Sequence, residues 1–250
     1  MVTTAISPAP GEQEPVAKIS AMGRVFGVLF SPKETFEDIV RKPSWIVPVV
    51  ILILLGTGVG ILLGKKVDWA SYSRQQAEKN PQFAQLPEDQ KQQRLELSTK
   101  IASIATPFAG VIGVPILLLI VTLVYWIGFN VFSGASLPFS RAWAIICYAY
   151  VPSAFASIIA MIILYLKRFG DVDPQRMAAT NLAAFLSNDA AHWLTVLGSF
   201  VDIFSLWILV LISIGFSVAN PRKISKGAAY GTVFGLWLLF VVIRVGIAAL

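Results

Sequence analysis

The feature that most constrains this chain is a series of five apolar runs, each long enough to cross a lipid bilayer as a helix. A membrane-spanning helix needs about 20 predominantly apolar residues. The runs cover residues 45–64, 104–132, 142–166, 193–219 and 228–250. They lack the alternation of apolar and polar residues that a membrane β-barrel requires. Only 14% of the residues are charged, against roughly a quarter in soluble domains. The sequence therefore predicts an all-α integral membrane protein with five transmembrane helices.

The segments outside these runs define the remaining organisation. Residues 1–17 are polar and broken by prolines, without the apolar core of a secretory signal, so we expect a disordered tail. Residues 18–44 precede the five-span domain of residues 45–250. Within that domain, residues 65–103 form a polar loop, in which we predict a surface helix that leads into the second span.

Residues 18–44 have the pattern of two short amphipathic helices. Apolar side chains recur at helical spacing between Ile19 and Phe30, with Lys18 and Arg24 at the rim of that face. The sequence SPKE that begins at Ser31 predicts a capping box at the start of the second helix. Because both helices are too short and too charged to cross, we expect them to lie in the plane of the membrane surface. The alternative is that they pack on the end of the helical bundle.

The basic residues predict the orientation. The short connection 220–227 contains Arg222, Lys223 and Lys226 and no acidic residue, and further bases adjoin the start of the first span. Short loops rich in lysine and arginine face the cytoplasm. We therefore predict a cytoplasmic N-terminus and, after five crossings, a C-terminus outside, although Lys65 and Lys66 argue the other way.

Two glycine ridges predict close helix contacts. Three glycines recur at four-residue spacing in the first span, and three more do so from the start of the last; the positions are Gly56, Gly60 and Gly64, and Gly227, Gly231 and Gly235. This spacing places each trio on one helix face, where helix backbones can approach closely. The predicted topology places the ridges in opposite leaflets, so each needs another neighbour, in this chain or in a second copy.

Asp202 is an acidic residue inside a predicted span, where a charge costs at least about 2.5 kcal/mol. Counting from the connection at Lys223, Asp202 and Arg244 lie at nearly equal depth on consecutive spans. We therefore predict an intramembrane ion pair between them. Two alternatives remain: Arg244 extends to the interface, or Asp202 belongs to a proton or ion pathway.

The sequence offers no catalytic, metal or cofactor site. His192 is the only histidine, which excludes two-histidine zinc motifs. The segment Ser133–Ser136 (SGAS) superficially resembles part of an intramembrane serine protease, but Leu137 replaces the expected glycine. Cys147, the only cysteine, is expected to be a packing residue. We expect no enzymatic activity, no cofactor and no nucleic-acid partner.

Three segments together resemble the YIP family, the Ypt/Rab-interacting multi-span membrane proteins, in its bacterial form. They are LFSPKETFEDIVRKPSWIVP at 29–48, GASLPFSRAWAIICYAYVPSAF at 134–155 and WILVLISIGFSVANPRKISKGAAYGTVFGLWLL at 207–239. The resemblance implies a five-span bundle with a cytoplasmic N-terminus, in a bacterial inner membrane, and supplies no catalytic residue. Eukaryotic relatives bind small prenylated GTPases in vesicle traffic. The short N-terminal region and the long polar loop after the first span depart from that layout, so the role is not carried over.

These observations lead to two functional hypotheses. The first is a non-enzymatic membrane protein that acts by lateral association with other membrane proteins or with itself, or by organising the lipid bilayer. The second is a small permease or transporter subunit that uses Asp202 in the membrane; its substrate would be unknown. A carboxylate that faces a wet cavity would favour the second, and a satisfied carboxylate the first.

Overall fold

The computed structural model describes residues 18–78, 80–172, 180–187 and 190–249. In these residues the chain is helical, with one isolated antiparallel bridge between Asn181 and Asp202. The disordered tail predicted for residues 1–17 lies outside the described residues. The helices are α1 Ala21–Phe30, α2 Pro32–Arg41, α3 Ile46–Lys66, α4 Trp69–Glu78, α5 Pro81–Ala84, α6 Glu88–Ala105, α7 Ala109–Phe132, α8 Phe139–Ala149, α9 Ser153–Leu166, α10 His192–Phe200, α11 Ile203–Ala219 and α12 Lys226–Ala249.

Four helical segments among the described residues are long and apolar enough to cross a membrane. They are Ile46–Lys66, Glu88–Phe132, Phe139–Leu166 and Lys226–Ala249. Each contains or closely matches one of the predicted spans. The predicted surface helix in the polar loop is confirmed as α6, which continues into α7 through a 3₁₀ turn at Thr106–Phe108.

The predicted span 193–219 is not one continuous helix. It consists of α10 and α11, which are separated at Val201 and Asp202. Asp202 has an extended backbone, and its side chain caps α11, so the polar residue ends one helix and begins the next. The 17 residues of α11 span about 26 Å, slightly less than the hydrocarbon core of about 30 Å.

The core of the bundle is centred on α11, which packs against α2, α8 and α12. Ile212 and Phe216 of α11 are fully buried, and the ring of Phe216 stacks on that of Phe129 in α7 at a centroid distance of 4.2 Å. From α2, the fully buried Phe36 and Ile39 extend into the same core. The N-terminal helices therefore pack on the end of the bundle, which was the alternative expectation.

The predicted capping box at the start of α2 is not formed. Pro32 occupies the first helical position as predicted, but the Ser31 side chain makes no capping hydrogen bond. Instead, the Thr35 hydroxyl donates to the Ser31 carbonyl oxygen at 2.8 Å. The side-chain cap lies one helix earlier, where Ser20 Oγ accepts from the backbone N–H of Gly23.

Hydrogen bonds between loops define the two ends of the bundle. At the end near α1 and α2, Asn220 Nδ2 donates to the Ala135 carbonyl at 2.9 Å, and Lys223 Nζ donates to the Gly134 carbonyl at 2.7 Å. At the opposite end, Lys66 Nζ donates to the Lys167 carbonyl at 2.6 Å. The helix ends that the sequence predicted to share a membrane side therefore meet in space.

Candidate functional site

Asp202 is a helix cap in the described structure. Its Oδ1 atom accepts hydrogen bonds from the backbone N–H groups of Phe204 at 3.0 Å and Ser205 at 2.9 Å. These N–H groups belong to the first turn of α11, where no preceding carbonyl is available to them. The break between α10 and α11 thus supplies the donors that the carboxylate needs.

Arg244 lies on an exposed face of α12. Within the described residues, the ion pairs shorter than 4.0 Å are Arg24–Asp38, Lys33–Glu37 and Lys91–Glu88, and the predicted pair of Asp202 with Arg244 is not among them. The ring of Phe200, two residues before Asp202, meets that of Phe240 at 5.6 Å, so α10 lies beside a part of α12 that precedes Arg244. The Asp202 side chain caps α11, whereas the Arg244 side chain lies on the outward face of α12.

A buried charged pair that the sequence analysis missed joins α1 to α2. Arg24 is 2% exposed and Asp38 is 3% exposed. Arg24 Nε lies 2.9 Å from Asp38 Oδ2, and Nη2 lies 2.8 Å from the same oxygen. Arg24 Nη1 also donates to the carbonyl of Lys42 at 3.0 Å and to Ser44 Oγ at 2.7 Å. We call Arg24, Asp38 and Ser44 the N-terminal clasp.

The clasp also connects to the bundle and determines the charge state of Asp38. Ser44 Oγ lies 3.3 Å from the hydroxyl of Tyr148 in α8. Burial alone would raise the pKa of the Asp38 carboxyl. The hydrogen bond from the backbone N–H of Lys18 and the hydrogen bond and charge of Arg24 outweigh that effect and hold the pKa below its usual value. Asp38 is therefore a structural carboxylate that remains ionised at neutral pH.

A signal for the clasp was present in the sequence. Arg24 lies four residues before Val28, so the two residues share one face of α1. A second apolar stripe with the same spacing, Met22, Phe26 and Phe30, competes with it for burial. The structure buries the stripe that contains Arg24 and leaves the other 52%, 59% and 83% exposed. The prediction that Arg24 lies at the rim of an interfacial face is therefore wrong.

The ridge of Gly56, Gly60 and Gly64, which we call the α3 ridge, packs within the fold. A Cβ on Gly56 would lie 3.1 Å from Val114, and one on Gly64 would lie 3.0 Å from Pro107. A Cβ on Gly60 would overlap the carbonyl oxygen of Thr106. The ridge therefore lets α3 approach the start of α7 at backbone contact.

The ridge of Gly227, Gly231 and Gly235, which we call the α12 ridge, faces outward. Among the described residues, nothing lies within 4 Å of a Cβ built at any of the three positions. Gly246, farther along α12, is equally open. The helix is instead anchored by its opposite face, where Ala229 and Val233 are fully buried. The α12 ridge thus presents bare helix backbone to the surroundings.

A groove of about 500 Å³ lies between α3, α7 and α9. Its described lining combines small residues, such as Gly113 and Ala156, with larger apolar side chains, such as Leu117 and Ile159. No charged residue is among the described lining residues, and neither is Asp202. The groove is therefore an apolar recess at membrane depth.

His192, Ser136 and Cys147 differ in their surroundings. His192 is exposed at the first position of α10. Ser136 is exposed in the turn that follows α7, with a positive φ of 51°. Cys147 is fully buried, as a packing residue should be. In the described part of the chain, no cluster of three or more histidine, cysteine, aspartate or glutamate residues could hold a metal ion.

Comparison with known proteins supports the sequence resemblance. The family model described as the Yip1 domain matches residues 26–247. Among curated proteins, the chain is similar to the membrane protein YknW of Bacillus subtilis (strain 168), with 26% identity over 219 residues, which cover 86% of this chain and 87% of that protein. No solved structure matches the chain.

Proposed function

Because the chain belongs to the Yip1-domain family of membrane proteins, we propose that it acts without catalysis, by lateral association in the bilayer, with α12 as the contact helix. The observation that carries this proposal is the open α12 ridge. In lipid, helices associate through packing and weak hydrogen bonds between closely approaching backbones, and small residues at four-residue spacing allow that approach.

A second copy of the chain is the occupant that this geometry favours. The two faces of a symmetric contact are identical, so a ridge of bare backbone on one copy meets the same ridge on the other. Gly231 at the centre of the ridge would lie near the crossing point. Leu238 and Val242, exposed by 54% and 59%, continue the face toward the C-terminus and would add apolar contact beyond the crossing.

The proposed topology has five crossings, with α10 and α11 together as one broken span. It is supported by the meeting of α2, the Gly134–Ala135 turn and the Asn220–Lys223 turn at one end of the bundle. Arg222, Lys223 and Lys226 near that end favour the cytoplasmic side of a bacterial inner membrane. The C-terminus of α12 would then lie outside.

At that same end, the exposed stripe of α1 supports an interfacial role for the N-terminal helix. Met22, Phe26 and Phe30 face away from the bundle while the clasp holds the opposite face of α1 in place. An apolar stripe on a fixed helix at the membrane boundary would insert among the headgroups. The protein would thereby organise the adjacent lipid while α12 makes the lateral contact.

The permease hypothesis has less support. Its central residue, Asp202, already accepts two backbone hydrogen bonds and is not among the described residues that line the groove. A transport carboxylate is expected to face a water-filled route.

Oxidative cross-linking in native membranes tests the lateral contact. In a Cys147→Ala background, we introduce Gly231→Cys on the α12 ridge, or Ile120→Cys on the exposed side of α7 as the matched control. We expect a disulfide-linked dimer with Gly231→Cys and only background levels with Ile120→Cys. Equal cross-linking at the two positions would contradict the proposal, as would efficient linkage at Ile120 alone.

A further inference from the structure

The groove between α3, α7 and α9 has an apolar lining and is separate from the α12 ridge. We propose that it holds one acyl chain of a phospholipid, whose anionic headgroup lies against basic residues at the end of the bundle opposite the N-terminal clasp. The site would bind a specific lipid rather than a transported solute.

The interior of the groove is suited to hydrocarbon. Three of its four described hydroxyl groups already donate to backbone carbonyls: Thr106 to Ala102 at 2.6 Å, Ser153 to Tyr150 at 2.7 Å and Ser157 to Ser153 at 3.0 Å. A polar ligand would meet few free donors from these side chains, and a charged ligand would meet no opposite charge among the described lining residues. An alkyl chain makes no hydrogen bonds, so its burial in this groove leaves no polar group without a partner.

The dimensions of the groove fit one leaflet. Along α7 its lining extends from the adjoining turn at Thr106 to Leu117, which corresponds to about 16 Å of helix and roughly half of the hydrocarbon core. The volume of about 500 Å³ lies within the range of roughly 300–1,000 Å³ that is typical of small-molecule sites. Small residues create this space, since nothing lies within 4 Å of a Cβ built at Gly113.

Basic residues cluster where the groove reaches the end of the bundle. Lys65 and Lys66 follow the lining residue Leu63 on α3, and Lys100 precedes Thr106 by about 9 Å of helix. Hydrogen bonds from Lys66 Nζ to the carbonyls of Tyr165 and Lys167 bring the end of α9 to the same place.

The balance of charge at these helix ends is positive. Among the described residues there, the basic ones are Lys65, Lys66, Lys100, Lys167 and Arg168, and the acidic ones are Asp68, Glu96 and Asp171. The Asp68 carboxylate already accepts hydrogen bonds from Ser71 and from the Ala70 backbone, which partly satisfies it. An anionic phosphate headgroup is the complementary partner, and its attached chain has the groove directly below it.

Photo-labelling in lipid nanodiscs tests the proposal. Nanodiscs of phosphatidylcholine contain a small fraction of phosphatidylglycerol with a diazirine in its acyl chain, and mass spectrometry maps the labelled peptides. We expect labelling concentrated on the faces of α7 and α9 that contain Leu117 and Ile159. Gly113→Leu should reduce this labelling about tenfold, because its side chain occupies the groove.

Gly246→Leu on α12 is the matched control, since it adds the same side chain at another open glycine and should leave the labelling unchanged. Ala160→Leu fills the groove from α9 and gives a second variant if the first is not monodisperse. Labelling spread evenly over all lipid-facing helices, or unchanged by both groove variants, would overturn the proposal.

A separate comparison tests the assignment of an anionic headgroup. With the diazirine on phosphatidylcholine instead, or with Lys65→Gln and Lys100→Gln combined, we expect weaker labelling of the groove. Lys91→Gln, on the same polar segment, should have no effect. Equal labelling by the zwitterionic and anionic probes would overturn the assignment of an anionic headgroup. These results do not depend on whether α12 forms the lateral contact.

Discussion

The N-terminal region around the first membrane helix and the last membrane helix share two sequence features, a glycine ridge and an arginine. The first region packs both features inside the protein, whereas the last helix exposes them. Each has three glycines at four-residue spacing, and an arginine belongs to each region: Arg24 in α1, two helices before α3, and Arg244 within α12. The N-terminal region uses both features internally. The α3 ridge packs on α7, and Arg24 is buried with Asp38. In α12, the ridge and the arginine are both exposed.

The difference comes from the neighbours that each helix finds. The α3 ridge meets Gly110, where a Cβ would overlap the backbone of Gly56 and Thr57, so both helices contribute small residues at the contact. In α12 the face that meets α11 and α10 is a different one, built from Ala229 and Val233. A glycine ridge therefore permits another helix to pack closely against it. Whether a helix of the same chain does so depends on how the other helices are arranged.

Removal of the Asp38 carboxylate should produce the largest loss of stability. Asp38→Ala leaves the Arg24 guanidinium buried without its counter-charge, which costs about 3–5 kcal/mol. Arg244→Ala, the matched change in the outward-facing region, should alter stability by less than about 0.5 kcal/mol. Unfolding by SDS in mixed micelles measures both. A similar cost for the two variants would remove the distinction between an internal and an external arginine.

Two further measurements sharpen this prediction. The double variant Arg24→Met with Asp38→Leu should be more stable than Asp38→Ala, because no buried charge is left alone. The pH dependence has a definite sign, since the pKa of Asp38 is lower in the folded protein than its unfolded value of about 3.9. The contribution of the ionised Asp38 carboxylate to the free energy of unfolding should be constant from pH 7 to pH 5 and disappear as the pH falls below about 4. Loss of the contribution near pH 6 would contradict this assignment.

Substitution of the glycines should separate the two ridges. Gly110→Leu forces a side chain against backbone atoms that cannot move aside, and we expect a loss of about 3 kcal/mol. Gly231→Leu should be neutral or slightly stabilising for the single chain, since glycine is a poor helix former. It should nevertheless abolish the cross-linking of the α12 ridge. Gly113→Leu, three residues from Gly110 but in open space, is the control for the mere addition of leucine.

The sequence predicted the membrane class, the family and the surface helix α6, because each depends on local composition or spacing. The burial of Arg24 could not be predicted with the same security. Two stripes of α1 have helical spacing, and only the packing of α2 on α8 and α11 selects the one that contains Arg24 and Val28. A charged residue with four possible hydrogen-bond partners is inexpensive to bury only after those partners have been brought together.

Asp202 illustrates a different limit. Depth along a continuous helix follows from counting residues, but Phe200 and Phe240, which are in contact, lie 23 and 17 residues from Lys223, so the count does not hold across the break. The prediction assumed a continuous helix, in which the carboxylate would need a partner from another span. The break before α11 supplies two backbone donors within three residues. Hydropathy alone could not reveal the break, because both α10 and α11 are apolar.

Substitution of Asp202 should have a smaller effect on stability than substitution of Asp38 or Gly110. Asp202→Ala removes the cap of α11 and should cost about 1 kcal/mol. Asp202→Asn retains an oxygen that can accept the same two N–H groups and should be nearly neutral, although it abolishes the charge. An ion pair with Arg244 would instead make both variants costly and their effects dependent on Arg244. A double-mutant cycle between Asp202→Ala and Arg244→Ala should therefore be additive within about 0.5 kcal/mol. A coupling above that limit would indicate an ion pair between Asp202 and Arg244. The last helix would then also have an internal charged pair, and its contrast with the N-terminal region would disappear.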